Sequence, residues 1–253
     1  MLPKSLLRLV IAVAAAALIG THAIAAQTHV AVAANFTDAA KEIAAAFKNK
    51  TGHEAVLSFG SSGQLYTQIT QDAPFEIMLS ADDARPTKLI MDGLGVADSQ
   101  FTYAVGKLVL WSKNAELVKG EATLKNASFA KLSICNPVAA PYGAAAVETM
   151  KVLNLYDALH PKIVEGANVT QAFQFVATGN AEVGFVALSQ LRGNAGGSHW
   201  LVPQNLYKPI KQDAVLLKKG VGNAAARAFM AFLKGAEART IIEKYGYGFD
   251  SNS

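Results

Sequence analysis

The strongest constraint on the fold is a repeated alternation of short apolar runs, rich in β-branched residues, with amphipathic runs of helical period. In the first part of the chain we predict strands over 29–33, 55–59 and 75–80, and helices over 38–48, 65–70 and from 86 to about 93. Ile43 and Phe47 lie one helical turn apart, and Gly52 follows as a stop signal. This β-α-β repeat favours an open sheet covered by helices on both faces.

A second set of elements follows without a linker. We predict strands over 131–135, 183–187 and 213–217, and helices over 143–153, 170–178, 223–233 and 236–245. Two β-α-β sets indicate two lobes, and the extended runs Thr102–Trp111 and Tyr207–Leu217 are the natural crossings between them. We therefore expect one lobe from 27–106 with 211–253, and the other from 107–210. In an α/β protein of this kind a ligand lies between the lobes, at strand carboxyl ends and helix N-termini.

The N-terminus has the order of a secretory signal peptide. Lys4 and Arg8 precede an uncharged apolar run over 9–19, and an Ala-Ile-Ala sequence ends at Ala25. The apolar run is short for a permanent membrane anchor. We expect cleavage after Ala25 or Ala26, and a mature chain that works outside the cytoplasmic membrane, in the periplasm.

Charge and residue usage exclude several kinds of site. The net charge is +4, and the Lys and Arg residues are scattered, so we expect no nucleic-acid partner. A lone cysteine, Cys135, cannot form an internal disulfide and is predicted to be a buried apolar residue. The histidines after the signal segment have no metal-ligand spacing: His29, His53, His160 and His199.

Four segments at predicted helix starts contain neither Lys nor Arg: 33–38, 59–64, 140–143 and 166–171. They offer backbone N–H groups and the neutral donors Asn35, Ser61, Ser62 and Tyr142. Helix N-termini carry unpaired N–H groups and partial positive charge, so they bind anions without a cation. If these ends share one cleft, they would hold a fully deprotonated oxyanion. A protonated phosphate would also need an acceptor.

Each segment taken alone is also explained by local structure. Asn35 with Asp38 reads as a capping box, which accounts for Asp38 more simply than a role as acceptor for phosphate. The serines fit a capped turn, and Tyr142 fits a buried structural side chain.

In these segments the chain resembles the periplasmic molybdate-binding proteins of ABC transporters. The resemblance covers essentially the whole mature chain in order. It is carried by 29–37, 57–63, 73–82, 141–143, 183–186 and 234–247.

The resemblance implies a two-lobed, type II-like periplasmic binding protein in which each lobe is a mixed β-sheet flanked by helices. A tetrahedral molybdate or tungstate dianion would lie in the interlobe cleft, so that molybdenum is bound as its oxyanion and no cofactor is expected. The implied partner is the membrane permease of an ABC transporter, and we expect a monomer. The implied donors are Asn35, Ser62, Tyr142 through its hydroxyl or N–H, the N–H of Val169 and a backbone group of Ala34.

One position departs from the family pattern. Relatives often carry a donor tyrosine at the position of Ala187, whereas Tyr142 stands where many have a small residue. We infer that Tyr142 supplies this hydroxyl from the opposite side, with Ser61 and Ala187 as secondary candidates for the site.

Two alternatives remain open from the residues. The same scaffold could bind sulfate, phosphate or another small oxyanion. An exported serine hydrolase with Ser61 or Ser62 as nucleophile is the alternative of another class, although 59–63 is one residue short of the G-x-S-x-G pattern and the histidines are scattered. We therefore predict binding and not catalysis.

Overall fold

The computed structural model describes residues 25–193 and 196–250, and the predicted signal segment lies outside these ranges except for Ala25 and Ala26. The strands are β1 (Gln27–Ala33), β2 (Glu54–Gly60), β3 (Ile77–Leu79), β4 (Phe101–Gly106), β5 (Leu108–Ser112), β6 (Leu132–Cys135), β7 (Ile163–Gly166), β8 (Val183–Ala187), β9 (Ser198–Leu201) and β10 (Ile210–Leu216). The α-helices are α1 (Thr37–Thr51), α2 (Ser62–Thr70), α3 (Ala84–Met91), α4 (Ala122–Asn126), α5 (Pro141–Val152), α6 (Tyr156–Leu159), α7 (Val169–Ala177), α8 (Leu188–Leu191), α9 (Ala224–Leu233) and α10 (Ala236–Lys244).

The strands form two mixed sheets of five strands each, in the orders β2-β1-β3-β10-β4 and β7-β6-β8-β5-β9. In the first sheet β1 runs parallel to β2 and β3, and β10 runs antiparallel to β3 and β4. In the second sheet β6 runs parallel to β7 and β8, and β5 runs antiparallel to β8 and β9. Helices flank both sheets, so the predicted two-lobed α/β fold is confirmed.

The chain passes between the sheets at two places. β4 ends at Gly106 and β5 begins at Leu108, so the run predicted as one extended stretch is two strands that belong to different sheets. β10 then carries the chain back into the first sheet from Ile210. The lobe boundaries at 106/107 and 210/211 stay a prediction.

Each sheet buries both of its faces, which explains why successive residues in its central strands can all be apolar. Val30 and Val32 pack in one cluster with Phe47, while Ala31 between them packs in another cluster with Leu65. This is the two-residue period of a strand applied to a sheet covered on both sides. The strand β5 repeats the arrangement, because Leu108 and Leu110 lie in a different cluster from Val109 and Trp111.

Cys135 is buried at the end of β6, as predicted. Burial raises the pKa of its thiol to about 12, so the thiol stays protonated and unreactive at physiological pH. Within 25–193 and 196–250 no helix is long and apolar enough to cross a membrane.

The aromatic cluster beneath α1 gives a direct test of the packing. Phe47 is fully buried, with its ring 5.2 Å from that of Phe229 and 5.7 Å from that of Phe232. We expect Phe47→Ala to lower the free energy of unfolding by about 3–5 kcal/mol in urea denaturation, because it leaves a cavity. The control Met91→Ala changes a side chain that is 81% exposed and should stay within about 0.5 kcal/mol of the parent. Equal losses in the two variants would contradict this packing.

Candidate functional site

Four helix starts converge on one small cavity between the sheets. They are a 3-10 turn over Ala34–Phe36 that leads into α1, and the first residues of α2, α5 and α7. The residues that line the cavity are Ala33, Ala34, Asn35, Ser61, Ser62, Ala81, Ala140, Pro141, Tyr142, Asn168 and Val169. Among these residues none is charged and none is a histidine. All the predicted donor residues except Ala187 are thus brought together.

The cavity is closed and compact. Its volume is about 10 Å³, and Ser62, Tyr142 and Val169 are each no more than 3% exposed. In this conformation the space has no room for an extended organic solute.

The two serines at the start of α2 have different tasks. Ser61 is the N-cap: its Oγ accepts from the Gln64 N–H at 3.4 Å, and the Gln64 side chain accepts from the Ser61 N–H at 3.2 Å. The Oγ of Ser62 accepts from the Ala81 N–H at 2.9 Å. Because that oxygen already accepts a bond, the Ser62 hydroxyl hydrogen is oriented to donate elsewhere, and the cavity lies beside it.

The predicted capping box at Asn35 is wrong. Phe36 precedes the first residue of α1, and no side chain caps that helix. The Asn35 amide instead donates to Gln212 Oε1 at 2.9 Å and to Tyr247 Oη at 3.1 Å. Since both amide hydrogens are used there, Asn35 offers an anion its backbone N–H in the 3-10 turn. Asp38 does not line the cavity.

Tyr142 reaches the cavity from the start of α5, where Pro141 occupies the first helical position. Its Oη accepts from Gln212 Nε2 at 3.4 Å. Burial raises the pKa of Tyr142 well above its usual value, so the phenol remains a neutral donor. A Cβ at position 106 would lie 2.2 Å from this Oη, so only glycine leaves room for the hydroxyl.

Two backbone donors complete the arrangement. Val169 is the first residue of α7, and Asn168 caps that helix by accepting from the Gln171 N–H at 3.0 Å. The Val169 N–H therefore lies in the first turn, where no intrahelical partner exists. Ala34 starts the 3-10 turn, and its carbonyl accepts from the hydroxyls of Thr37 at 2.8 Å and Thr170 at 3.3 Å, so it offers only its N–H to the cavity.

Ala187 lies away from the cavity. It is fully buried, its Cα is paired with that of Leu108 in the sheet, and its N–H donates to Gln190 Oε1 at 3.0 Å. Sequence reasoning did not single out Ala81, whose N–H orients Ser62, or Gln212, which contacts both Asn35 and Tyr142. Neither residue has a local pattern that marks it, because each is placed by tertiary contacts.

Hydrogen bonds join the lobes on both sides of the cavity. At the outer rim the Gly63 N–H donates to the Ala139 carbonyl at 2.9 Å, and Arg85 Nη2 donates to the Val138 carbonyl at 2.7 Å. On the inner side Ser189 Oγ donates to the Asn35 carbonyl at 2.8 Å. The structure is therefore a closed form.

The part of the chain that the structure describes gives little support for a metal site or for a serine nucleophile. There, no three His, Cys, Asp or Glu residues are grouped so that they could hold a metal ion. Ser61 and Ser62 have no histidine beside them in the cavity that could act as a base.

Known proteins are similar to this chain in sequence and in architecture. The family described as bacterial extracellular solute-binding protein matches residues 28–248. The molybdate-binding protein ModA of Rhodobacter capsulatus is 56% identical over 225 residues, which are 89% of this chain and 89% of that protein. ModA of Azotobacter vinelandii is 54% identical over 248 residues, covering 96% of this chain and 98% of that protein.

Solved structures agree with the sequence comparison. The periplasmic molybdate-binding protein of Azotobacter vinelandii superposes with a TM-score of 0.86 and 41% identity, over 88% of this chain and 100% of that one. The sulfate-binding protein SubI of Mycobacterium tuberculosis shares the fold, with a TM-score of 0.74 and 12% identity over 88% of this chain and 86% of its own. The chain belongs to the bacterial extracellular solute-binding proteins, in the group of the ModA molybdate-binding proteins.

Proposed function

We propose that this protein captures molybdate, and tungstate through the same contacts, and delivers it to the membrane permease of an ABC transporter. The observation that carries the proposal is the uncharged cavity where helix starts from both lobes meet. The names of its close relatives support molybdate as the ligand.

The donor set fits a doubly negative ion that carries no proton. The first lobe supplies the Ser62 hydroxyl and the N–H groups of Ala34 and Asn35, and the second supplies the Tyr142 hydroxyl and the Val169 N–H. A hydrogen bond to a charged group contributes about 1.5–3 kcal/mol, and the aligned helix dipoles add to it. A buried charge needs such partners, because burying it alone is very unfavourable.

In this proposal, binding of the ion is coupled to closure of the two lobes. The ion contacts both lobes, so it stabilises the closed form, in which Gly63 and Arg85 bond to the loop before α5. We propose that the protein acts as a monomer in the periplasm after removal of the signal segment. The permease would then receive the ligand when the lobes open.

Sulfate and phosphate are the alternatives on the same scaffold. Sulfate has the same charge as molybdate but shorter bonds, so donors spaced for the larger ion would make poorer contacts with it. Singly protonated phosphate needs an acceptor, and Asp38, the carboxylate considered for that role, does not line the cavity. A serine hydrolase lacks support because no histidine lies in the cavity.

Calorimetric titration with molybdate, tungstate, sulfate and phosphate at pH 8 tests the proposal. We expect one molybdate or tungstate per chain at micromolar concentration or below, with sulfate and phosphate weaker. Absence of binding to molybdate at that level would refute the proposal. Tighter binding of sulfate would favour the first alternative.

Loss of the Ser62 hydroxyl should strongly weaken the binding of molybdate. Ser62→Ala removes a donor to the ion and leaves the buried Ala81 N–H without its acceptor, so we expect molybdate to bind tenfold or more weakly in the same calorimetric titration. Ser58→Ala, at an exposed position on β2, is the matched control and should bind as the parent does. Equal affinities in the two variants would exclude Ser62 from the site.

Arg85 should control release of the ion. Its guanidinium pairs with Asp82 and donates to Val138 across the cleft, a contact that opening of the lobes would break. We expect Arg85→Ala to raise the dissociation rate constant by about tenfold with little change in association, as measured by stopped-flow displacement. Lys88→Ala removes an exposed ion pair with Asp92 on the same helix and serves as control. An unchanged dissociation rate in Arg85→Ala would show that the rim contact does not hold the closed form.

A further inference from the structure

We infer that Gln212 fixes the direction of the Tyr142 hydroxyl so that it can only donate into the cavity, which makes Gln212 a positioning residue that selects fully deprotonated oxyanions over singly protonated ones. This inference rests on the proposed function. Gln212 does not line the cavity, and it acts through Tyr142.

The strand geometry is built to place this side chain. Gln212 lies on β10 and is completely buried, at the point where a bulge shifts the pairing between β10 and β4. A bulge changes the direction in which a side chain points, and bulges are common beside functional sites. A Cβ at position 106 would lie 2.7 Å from Gln212 Nε2 and 2.2 Å from Tyr142 Oη, so Gly106 opens the space where these two atoms meet.

The direction of each hydrogen bond follows from a fixed backbone acceptor. Tyr247 Oη lies 2.7 Å from the Asn35 carbonyl oxygen and 3.0 Å from Ser189 Oγ, which itself donates to that carbonyl, so the Tyr247 hydroxyl donates to one of these two oxygens. Tyr247 Oη then accepts from the Asn35 side chain at 3.1 Å, which identifies the Asn35 atom as the amide nitrogen. The second hydrogen of that nitrogen points to Gln212 at 2.9 Å, so the facing Gln212 atom is Oε1.

The same reasoning continues to the cavity. Tyr103 Oη, 3.1 Å away, is a second neighbour of Gln212 Oε1. With its oxygen held on this side, Gln212 presents Nε2 to Tyr142 Oη at 3.4 Å. An amide nitrogen only donates, so Tyr142 accepts from Gln212, and its own hydrogen is left for the ligand.

The consequence concerns ligand choice. A free tyrosine hydroxyl can rotate and either donate or accept, so it could receive the proton of a P–OH group. When its oxygen is already engaged by Gln212, it presents hydrogen to the ion. Phosphate at pH 8 is mostly a dianion that still carries one proton, whereas molybdate carries the same charge and none. The ratio of their dissociation constants therefore reports hydrogen-bond direction and cancels most of the effect of charge.

The test is the phosphate-to-molybdate ratio of dissociation constants at pH 8, with phosphate measured by competition against molybdate. Gln212→Met removes the donor without adding charge, and we expect the ratio to fall by about tenfold, since a difference of that size needs only one hydrogen bond. In a Tyr142→Phe background the same substitution should leave the ratio unchanged, because the group through which Gln212 acts is absent. Gln68→Met, at an exposed position on α2, is the matched control.

Two outcomes would overturn the inference: an unchanged ratio in Gln212→Met, or an equal change with and without the Tyr142 hydroxyl. If Gln212→Met does not fold, Gln212→Glu carries the same two measurements, since a carboxylate accepts from Tyr142 and turns its hydrogen away from the cavity. Failure of the parent protein to bind molybdate would instead refute the proposed function.

Discussion

A buried anion with no cation beside it must be held by hydrogen-bond donors. This requirement accounts for the arrangement of the helices around the cavity. Helix starts present unpaired backbone N–H groups, so several helices that begin at the same point can together supply the donors. Close contact between helices and strand ends makes this possible. A Cβ on Gly143 would lie 2.0 Å from the Cys135 carbonyl oxygen, and one on Gly166 would lie 2.8 Å from the Ala172 nitrogen. These glycines let α5 and α7 start directly against the second sheet, which fixes their N–H groups before a ligand arrives.

The residues that line the cavity come from both lobes, so binding of an ion there would be coupled to closure of the lobes. An ion held there would contact both lobes when they are closed. The chain crosses between the sheets near Gly106 and Ile210, and β10 after the second crossing bears Gln212, which connects Asn35 of the first lobe with Tyr142 of the second. The crossing region is therefore part of the site's polar network as well as the connection between lobes.

Much of this architecture could be predicted from the sequence, because central strands and amphipathic helices carry apolar patterns of their own. The edge strands β7 and β9 were missed since they are four residues long and partly exposed, with little periodicity. The segments 59–64 and 166–171 were correctly placed at helix starts, where Ser61 and Asn168 are local caps, although the helix predicted from 65 begins at Ser62. Asn35 was misread as a cap because its partners Gln212 and Tyr247 lie 177 and 212 residues away, and no local pattern reports such contacts.

The position of the tyrosine shows why a single residue does not define such a site. Tyr142 provides a phenol from the start of α5, while Ala187 is packed into the sheet and provides none. That arrangement requires glycine at position 106, because any Cβ there would collide with the hydroxyl. It also requires a partner that controls the direction of the hydroxyl, because a phenol can accept as readily as it donates. The tyrosine, the glycine and Gln212 therefore pack as one unit beside the cavity, although they come from α5, β4 and β10.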